Sequence, residues 1–152
     1  WLNPTDSTTL GWITSIIMEL RGMGFNEVLL DNFRFPAEAD KYLFNGDKEA
    51  ALISAADTLV ASCNADKFVL SFAVTNPSFA LPDGRTRMYL TGVEAKDIAT
   101  VAAQATFDGA DVKLVFLGST NDTRFDDYSV LRPLAVSEGL EAQKADLAAQ
   151  TG

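Results

Sequence analysis

The chain reads as an α/β domain in which parallel strands alternate with helices. Four short, mostly apolar runs flanked by breakers, at 27–33, 68–75, 87–91 and 112–117, have the look of buried strands. The stretches before the first strand, between the first and second and between the third and fourth carry apolar residues at three- and four-residue steps, the helical period. Strands separated by helices imply parallel pairing through crossovers, because each helix returns the chain to the same end of the sheet.

Taken in order, Asn3-Pro4-Thr5-Asp6-Ser7 forms a turn in which Asp or Ser can cap the orphan N–H groups of a helix. Leu10, Ile13, Ile17 and Leu20 give that helix one apolar face over about 8–22, with Trp12 off the stripe, and Gly22 and Gly24 stop it. The first strand follows, then a polar stretch at 35–46. A second helix opens at Asp47 and places Ile53, Ala56, Val60 and Cys63 on one face. Cys63 there reads as a small buried hydrophobe with no basic neighbour to activate it.

The second strand ends at Asn76-Pro77, where the residue before proline is pushed out of helical geometry. Pro82-Asp83-Gly84 marks a turn ahead of the third strand. Ile98, Val101, Ala102 and Ala105 predict a third helix stopped near Gly109. After the fourth strand comes the polar loop at 118–123, and an Ala-rich tail from about Pro133 with Leu134, Leu140 and Leu147 predicts a helix frayed at its end. There is no internal repeat and no change of composition, so the whole of 1–152 reads as one domain.

Composition excludes several chemistries. Twelve Lys and Arg against 21 Asp and Glu leave a net charge of −9, a field that repels phosphate backbones, so nucleic acid is not an expected partner. With no histidine, the chain supplies neither a Ser-His-Asp nor a Cys-His arrangement. One cysteine makes no internal disulfide, and no Cys/His cluster suits zinc, so neither metal nor cofactor is expected. No apolar run approaches the roughly 20 residues of a membrane-spanning helix. No Gly-x-Gly-x-x-Gly follows a strand, which disfavours dinucleotide binding. The acidic pair and lysine of a phosphate-accepting signalling domain are absent from the strand ends.

Trp1-Leu2-Asn3-Pro4, a helix, and Gly24-Phe25-Asn26-Glu27-Val28-Leu29-Leu30-Asp31-Asn32-Phe33-Arg34-Phe35-Pro36 together carry a resemblance. Over 1–36 the chain resembles a bacterial glycoside-hydrolase-like family, catalogued as a domain of unknown function, related to the α-amylase-type barrels. That family shows a Trp-Leu-x-Pro opening and a Gly-Phe-Asp-x-Ile-x-x-Asp-Tyr-x-Arg-Phe-Pro-like strand end; here Asn26 and Asn32 stand in place of its Asp and Tyr. The resemblance implies a TIM-type barrel, a carbohydrate ligand, and an extracellular or cell-surface setting.

In such a barrel the residues just past each strand face the shared active-site mouth, and Asp31 falls there. It could serve as nucleophile or as stabiliser of an oxocarbenium-like transition state, with Arg34 orienting it. It could equally cap the following turn with Arg34 as its salt-bridge partner. A glycosidase needs a second carboxyl group at roughly 5 to 9.5 Å. The second strand end, Ser71 to Asn76, has none. Glu94 and Asp122 are the further candidates, with Asp126 and Asp127 in the same loop as Asp122; Glu94 also reads as a helix-start residue serving the dipole, and the loop acids as solvated side chains. Asn32, Asn76 and Asn121, at or beyond strand ends, are the candidate substrate-binding amides. Among the aromatics, Phe33 reads as core or pocket wall and Phe35 as a loop anchor, while Trp1, Tyr42, Phe79 and Tyr89 also lie near predicted loops or strand ends.

The family frame places the strands preceding Asp31 upstream of this chain. Four predicted strands fall short of the eight that close a barrel. The expectation is therefore the carboxyl-terminal part of a larger catalytic domain, or an open sheet derived from one whose edges are covered by the tail, by loops or by self-association. A start at Trp1 rather than Met is expected of a processed or excised piece. Two functions follow: a carboxylate-based glycosidase, or a noncatalytic carbohydrate-binding or structural domain of barrel descent.

Overall fold

The computed structural model describes residues 2–37, 44–105, 113–118 and 121–132. Its elements in chain order are α1 (Ser7–Gly22), β1 (Glu27–Leu30), α2 (Lys48–Cys63), β2 (Val69–Val74), β3 (Thr86–Thr91), α3 (Ile98–Gln104), β4 (Lys113–Leu117), a 3₁₀ turn at Thr123–Phe125, and β5 (Val130–Leu131). All five strands are parallel, in the order β1-β2-β3-β4-β5, and the sheet curls into a half-barrel. Every strand therefore points its carboxyl end to the same edge.

The helix ends form where the sequence supplies the chemistry. The Asp6 carboxylate accepts the Thr9 N–H and the Thr9 hydroxyl, both at 2.8 Å, and these bonds hold its pKa below the ordinary value. Asp47 caps α2 in the same way, accepting from the Ala50 N–H at 3.0 Å. Past the last turn of α1, the Phe25 N–H reaches Leu20 O and the Gly24 N–H reaches Arg21 O, a Schellman closure. That closure requires the left-handed backbone at Gly24 (φ 99°), which costs glycine nothing. Arg21 then ties the ends of the two helices together by donating to Cys63 O at 2.9 Å. Burial pushes the Cys63 thiol pKa up and outweighs the charge of Arg21, a basic neighbour that the sequence reading did not expect, so the thiol is still an inert core group.

Strand parity decides the core. Val28 and Leu30, Leu70, Phe72 and Val74, Met88 and Leu90, and Leu114 and Phe116 share the face that packs on Ile17, Ala56, Leu59 and Val60 of the helices. The opposite, concave face carries Glu27, Leu29, Ser71, Ala73, Arg87 and Tyr89. Because both faces of β2 are largely covered, it reads as a near-continuous apolar run, whereas β3 keeps Thr86, Arg87 and Thr91 among its apolar residues.

Several expectations are corrected. The first strand stops at Leu30, because Asn32 adopts a left-handed conformation (φ 51°) and turns the chain out of the ladder. Helices do not separate all the strands, and the turn read at Pro82-Asp83-Gly84 lies in one such helix-free connection. The connection 75–85 between β2 and β3 is irregular, and Phe79, Leu81 and Pro82 cover the sheet there in place of a helix. Between β4 and β5 the described part of the connection holds only the 3₁₀ turn, whose Phe125 stacks edge-on to Phe116 at 5.8 Å. The two-residue strand β5 adds a fifth strand to the four predicted. The expected stop near Gly109 and the helical tail from Pro133 lie outside the described residues, as do Trp1 and Tyr42.

Phe72 is fully buried and touches the ring of Phe33 at a centroid distance of 4.8 Å, so it sits where the sheet and the β1 turn meet. Phe72→Ala is expected to lower stability by ~3–5 kcal/mol, read as a shift of the urea midpoint without a change of slope.

Candidate functional site

Parallel pairing gathers the predicted site residues along the carboxyl edge of the sheet, the edge at which parallel α/β sheets bind ligands. Asp31 follows β1 directly and is exposed; its carboxylate accepts the N–H of Asn32 at 2.8 Å. That is a turn-capping bond, and no other hydrogen bond or ion pair of the Asp31 carboxylate is formed among the described residues. Among the described residues Asp31 and Arg34 form no ion pair, so the pairing considered for them is not found. The turn carries Arg34 past Asp31, because Phe33 swings inward to donate its N–H to Ala73 O and to pack on Phe72 and Phe79. Phe33 is thus pocket wall and core anchor together, and Phe35 stacks on Phe44 at 5.0 Å.

The amides divide. Asn76, just past β2, caps its own turn through the Ser78 N–H and donates to Glu49 Oε1 at 3.2 Å, which brings the start of α2 to the same edge. Asn32 is exposed in its left-handed turn, and Asn121 is exposed in the loop after β4. A cleft of about 200 Å³ runs between the β1 turn, the start of α2 and the β2 loop, lined by Phe33, Arg34, Lys48, Glu49, Thr75 and Asn76 among others.

The additional acids are engaged elsewhere. Glu94 lies in a turn ahead of α3, which is led in by Asp97, so it is not the helix-start residue expected of it; its carboxylate pairs with Lys96 at 2.7 Å. Asp122 starts the 3₁₀ turn, accepts the Arg124 N–H, and grips the Arg124 guanidinium through both oxygens at 2.9 and 2.7 Å. Those bonds pull its pKa from 3.8 to about 2. A carboxyl held ionised so firmly is a poor proton donor near neutral pH. Asp126 pairs with Arg132 at 3.2 Å and Asp127 is exposed. No His, Cys, Asp or Glu grouping among the described residues has metal-site geometry.

A second polar centre stands on the concave face, at the other end of β1. Glu27 Oε1 accepts the Ser71 hydroxyl at 2.6 Å and the Tyr89 hydroxyl at 2.9 Å, while Oε2 accepts Arg87 Nη1 at 2.6 Å. Ser71 is fully buried, and the Glu27 and Arg87 side chains are 28% and 24% exposed, so these bonds act in a partly dehydrated setting. Burial works against the Arg87 charge, yet the Tyr89 hydroxyl and the Glu27 carboxylate outweigh it and raise its pKa. Burial is also the main reason that the Tyr89 hydroxyl pKa is raised. Sequence reasoning took Glu27 as the start of an apolar strand. The available signal was a set of polar residues, Glu27, Ser71 and Arg87, inside three runs otherwise fit for burial, which a parallel sheet can only place against one another.

Two measurements check these geometries. A double-mutant cycle on Glu27→Gln and Arg87→Met is expected to give a coupling of ~2 kcal/mol, between the values of exposed and fully buried pairs; additive single effects would show that the pair is not formed. For Asp122 the folded pKa is depressed, so its stabilising contribution is present above the ordinary value of 3.8 and lost as pH falls through about 2. Its carboxyl carbon resonance is expected to titrate near that lower value and to move back toward 3.8 in Arg124→Gln.

No family model, curated protein or solved structure matches the chain.

Proposed function

We propose that this chain is part of a glycoside-hydrolase-like barrel that acts on or binds carbohydrate at the carboxyl edge of its sheet, with Asp31 as the principal acidic group. The observation that carries this reading is the position of Asp31: immediately past β1 in a curled, all-parallel, sequentially ordered sheet, exposed, and outside any ion pair among the described residues. A carboxylate so placed can attack or stabilise an anomeric centre, which is the use glycosidases make of Asp and Glu. Asn32 follows it with an amide suited to sugar hydroxyls, Asn76 past β2 offers what its bonds to Ser78 and Glu49 leave free, and Asn121 belongs to the loop after β4. Arg34 acts on the ligand in this reading rather than on Asp31.

The noncatalytic alternative has its own support. β2 ends in Val74-Thr75-Asn76 without an acid, Glu94 is paired with Lys96, and Asp122 is locked on Arg124. A barrel descendant lacking a proton donor would keep sugar binding and lose turnover. The setting expected of either form is extracellular or at the cell surface.

Turnover by the intact protein on a panel of glucans and cell-wall glycans separates the two. The enzyme reading expects Asp31→Asn to reduce kcat/KM by at least ~10³-fold while the urea midpoint stays in place. Binding without turnover in the intact wild type selects the noncatalytic form, and undiminished turnover in Asp31→Asn overturns the role given to Asp31.

A further inference from the structure

We propose that the cleft between the β1 turn, the start of α2 and the β2 loop binds an acidic sugar, a ring that carries a carboxylate as a uronic acid residue does, and that Arg34 selects it. This rests on the carbohydrate reading of the proposed function and narrows it to one class of ligand.

Cations are scarce in this chain, with 12 Lys and Arg against 21 Asp and Glu, and the described arginines are almost all engaged. Arg21 is bonded to Cys63 O, and Arg85, Arg87, Arg124 and Arg132 each hold a carboxylate. Arg34 is the exception. It is exposed, and its guanidinium has no hydrogen bond or ion pair among the described residues. A guanidinium carries five donors and a fixed charge, so the hydroxyls of a neutral sugar leave that charge unmatched. A carboxylate takes two parallel N–H···O bonds and the charge together.

The setting of Arg34 favours an anion. Arg34 and Lys48 stand in the wall of the cleft against one acid, Glu49, whose Oε1 already takes the Asn76 amide. The amino end of α2 adds first-turn N–H groups without intrahelical acceptors and the positive end of its dipole. Asp47, at the same helix end, accepts the Ala50 N–H, and neither it nor Asp31 lines the cleft. In a chain of net charge −9, such a local excess of cations is what lets an anion approach.

An ion pair in open water would contribute little. Here Phe33, Phe35, Leu52, Val74 and Phe79 form the apolar part of the wall, so a seated ring displaces water from beside Arg34 and strengthens the pair. At about 200 Å³ the cleft is smaller than pockets that enclose a drug-sized ligand, and it has room for one ring of a chain. Arg34 also borders the apolar groove whose rim holds Asp31. The acidic ring therefore occupies the subsite next to Asp31, with its carboxylate on Arg34 and away from the Asp31 carboxylate.

Calorimetric titration of the intact protein with oligogalacturonate, oligoglucuronate and oligomannuronate, each beside its carboxyl-reduced neutral counterpart, tests the inference. At least one uronate is expected to bind ~10-fold or more tightly than its reduced counterpart, with a preference that shrinks as salt is added. In Arg34→Gln that affinity ratio is expected to fall to about 1, and in Arg34→Lys to an intermediate value, because the fork is lost while the charge stays. The urea midpoint is expected to hold in both variants, since Arg34 has no partner among the described residues to lose. A ratio kept in Arg34→Gln while both ligands weaken equally overturns the selecting role, because the residue then only shapes the turn. Saturable binding of neutral glycans with no preference for any uronate overturns this inference alone and leaves the carbohydrate reading standing. Absence of binding to every glycan overturns both.

Discussion

The Glu27 carboxylate, on the first residue of β1, accepts bonds from Ser71 of β2 and from Arg87 and Tyr89 of β3, and so fastens three strands on the concave side of the sheet. A carboxylate there is tolerable only because its oxygens are met by donors, one of them charged; with Arg87 removed it would face the interior uncompensated. The interaction also fixes register, since slipping any of the three strands by one residue would turn its polar side chain onto the helix-covered face among Phe72, Met88 and Phe116. With register fixed, the turns that follow the strands are fixed as well.

Those turns give the sheet its functional asymmetry. At the amino end of β1 the polar groups satisfy one another, and at the carboxyl edge Asp31 and Asn32 are exposed. The amino end of β1 is closed by its own polar network, while at the carboxyl edge Phe33 and Asn76 hold the turns and leave Asp31 exposed beside them. The Arg124 grip on Asp122 and the Lys96 contact of Glu94 narrow the available acids further.

Much of the fold was legible from periodicity alone. Leu10, Ile13 and Ile17 marked α1, Asp47 marked the start of α2, and the apolar runs around Val28, Phe72, Leu90 and Phe116 marked four strands. The loop between β2 and β3 was marked by Asn76-Pro77 and Pro82-Asp83-Gly84, but the cover that Phe79 and Pro82 give the sheet there was not legible, since they carry no helical pattern. Nor was β5, which two residues and a single stretch of pairing define. At the site, Asp31 was legible as a strand-end acid. The Glu27 cluster was hidden because Glu27 lies 44 to 62 positions from its partners and meets them only through parallel register.

The most direct measurement of the central claim is an amide chemical-shift titration of the intact protein with soluble glucan and cell-wall oligosaccharides. The account predicts saturable shifts concentrated at Asp31, Asn32, Thr75, Asn76 and Asn121, along the carboxyl edge of the sheet. Shifts centred on Asn26, Lys67 and Arg85 at the opposite edge, or no saturable shift with any glycan, would contradict it.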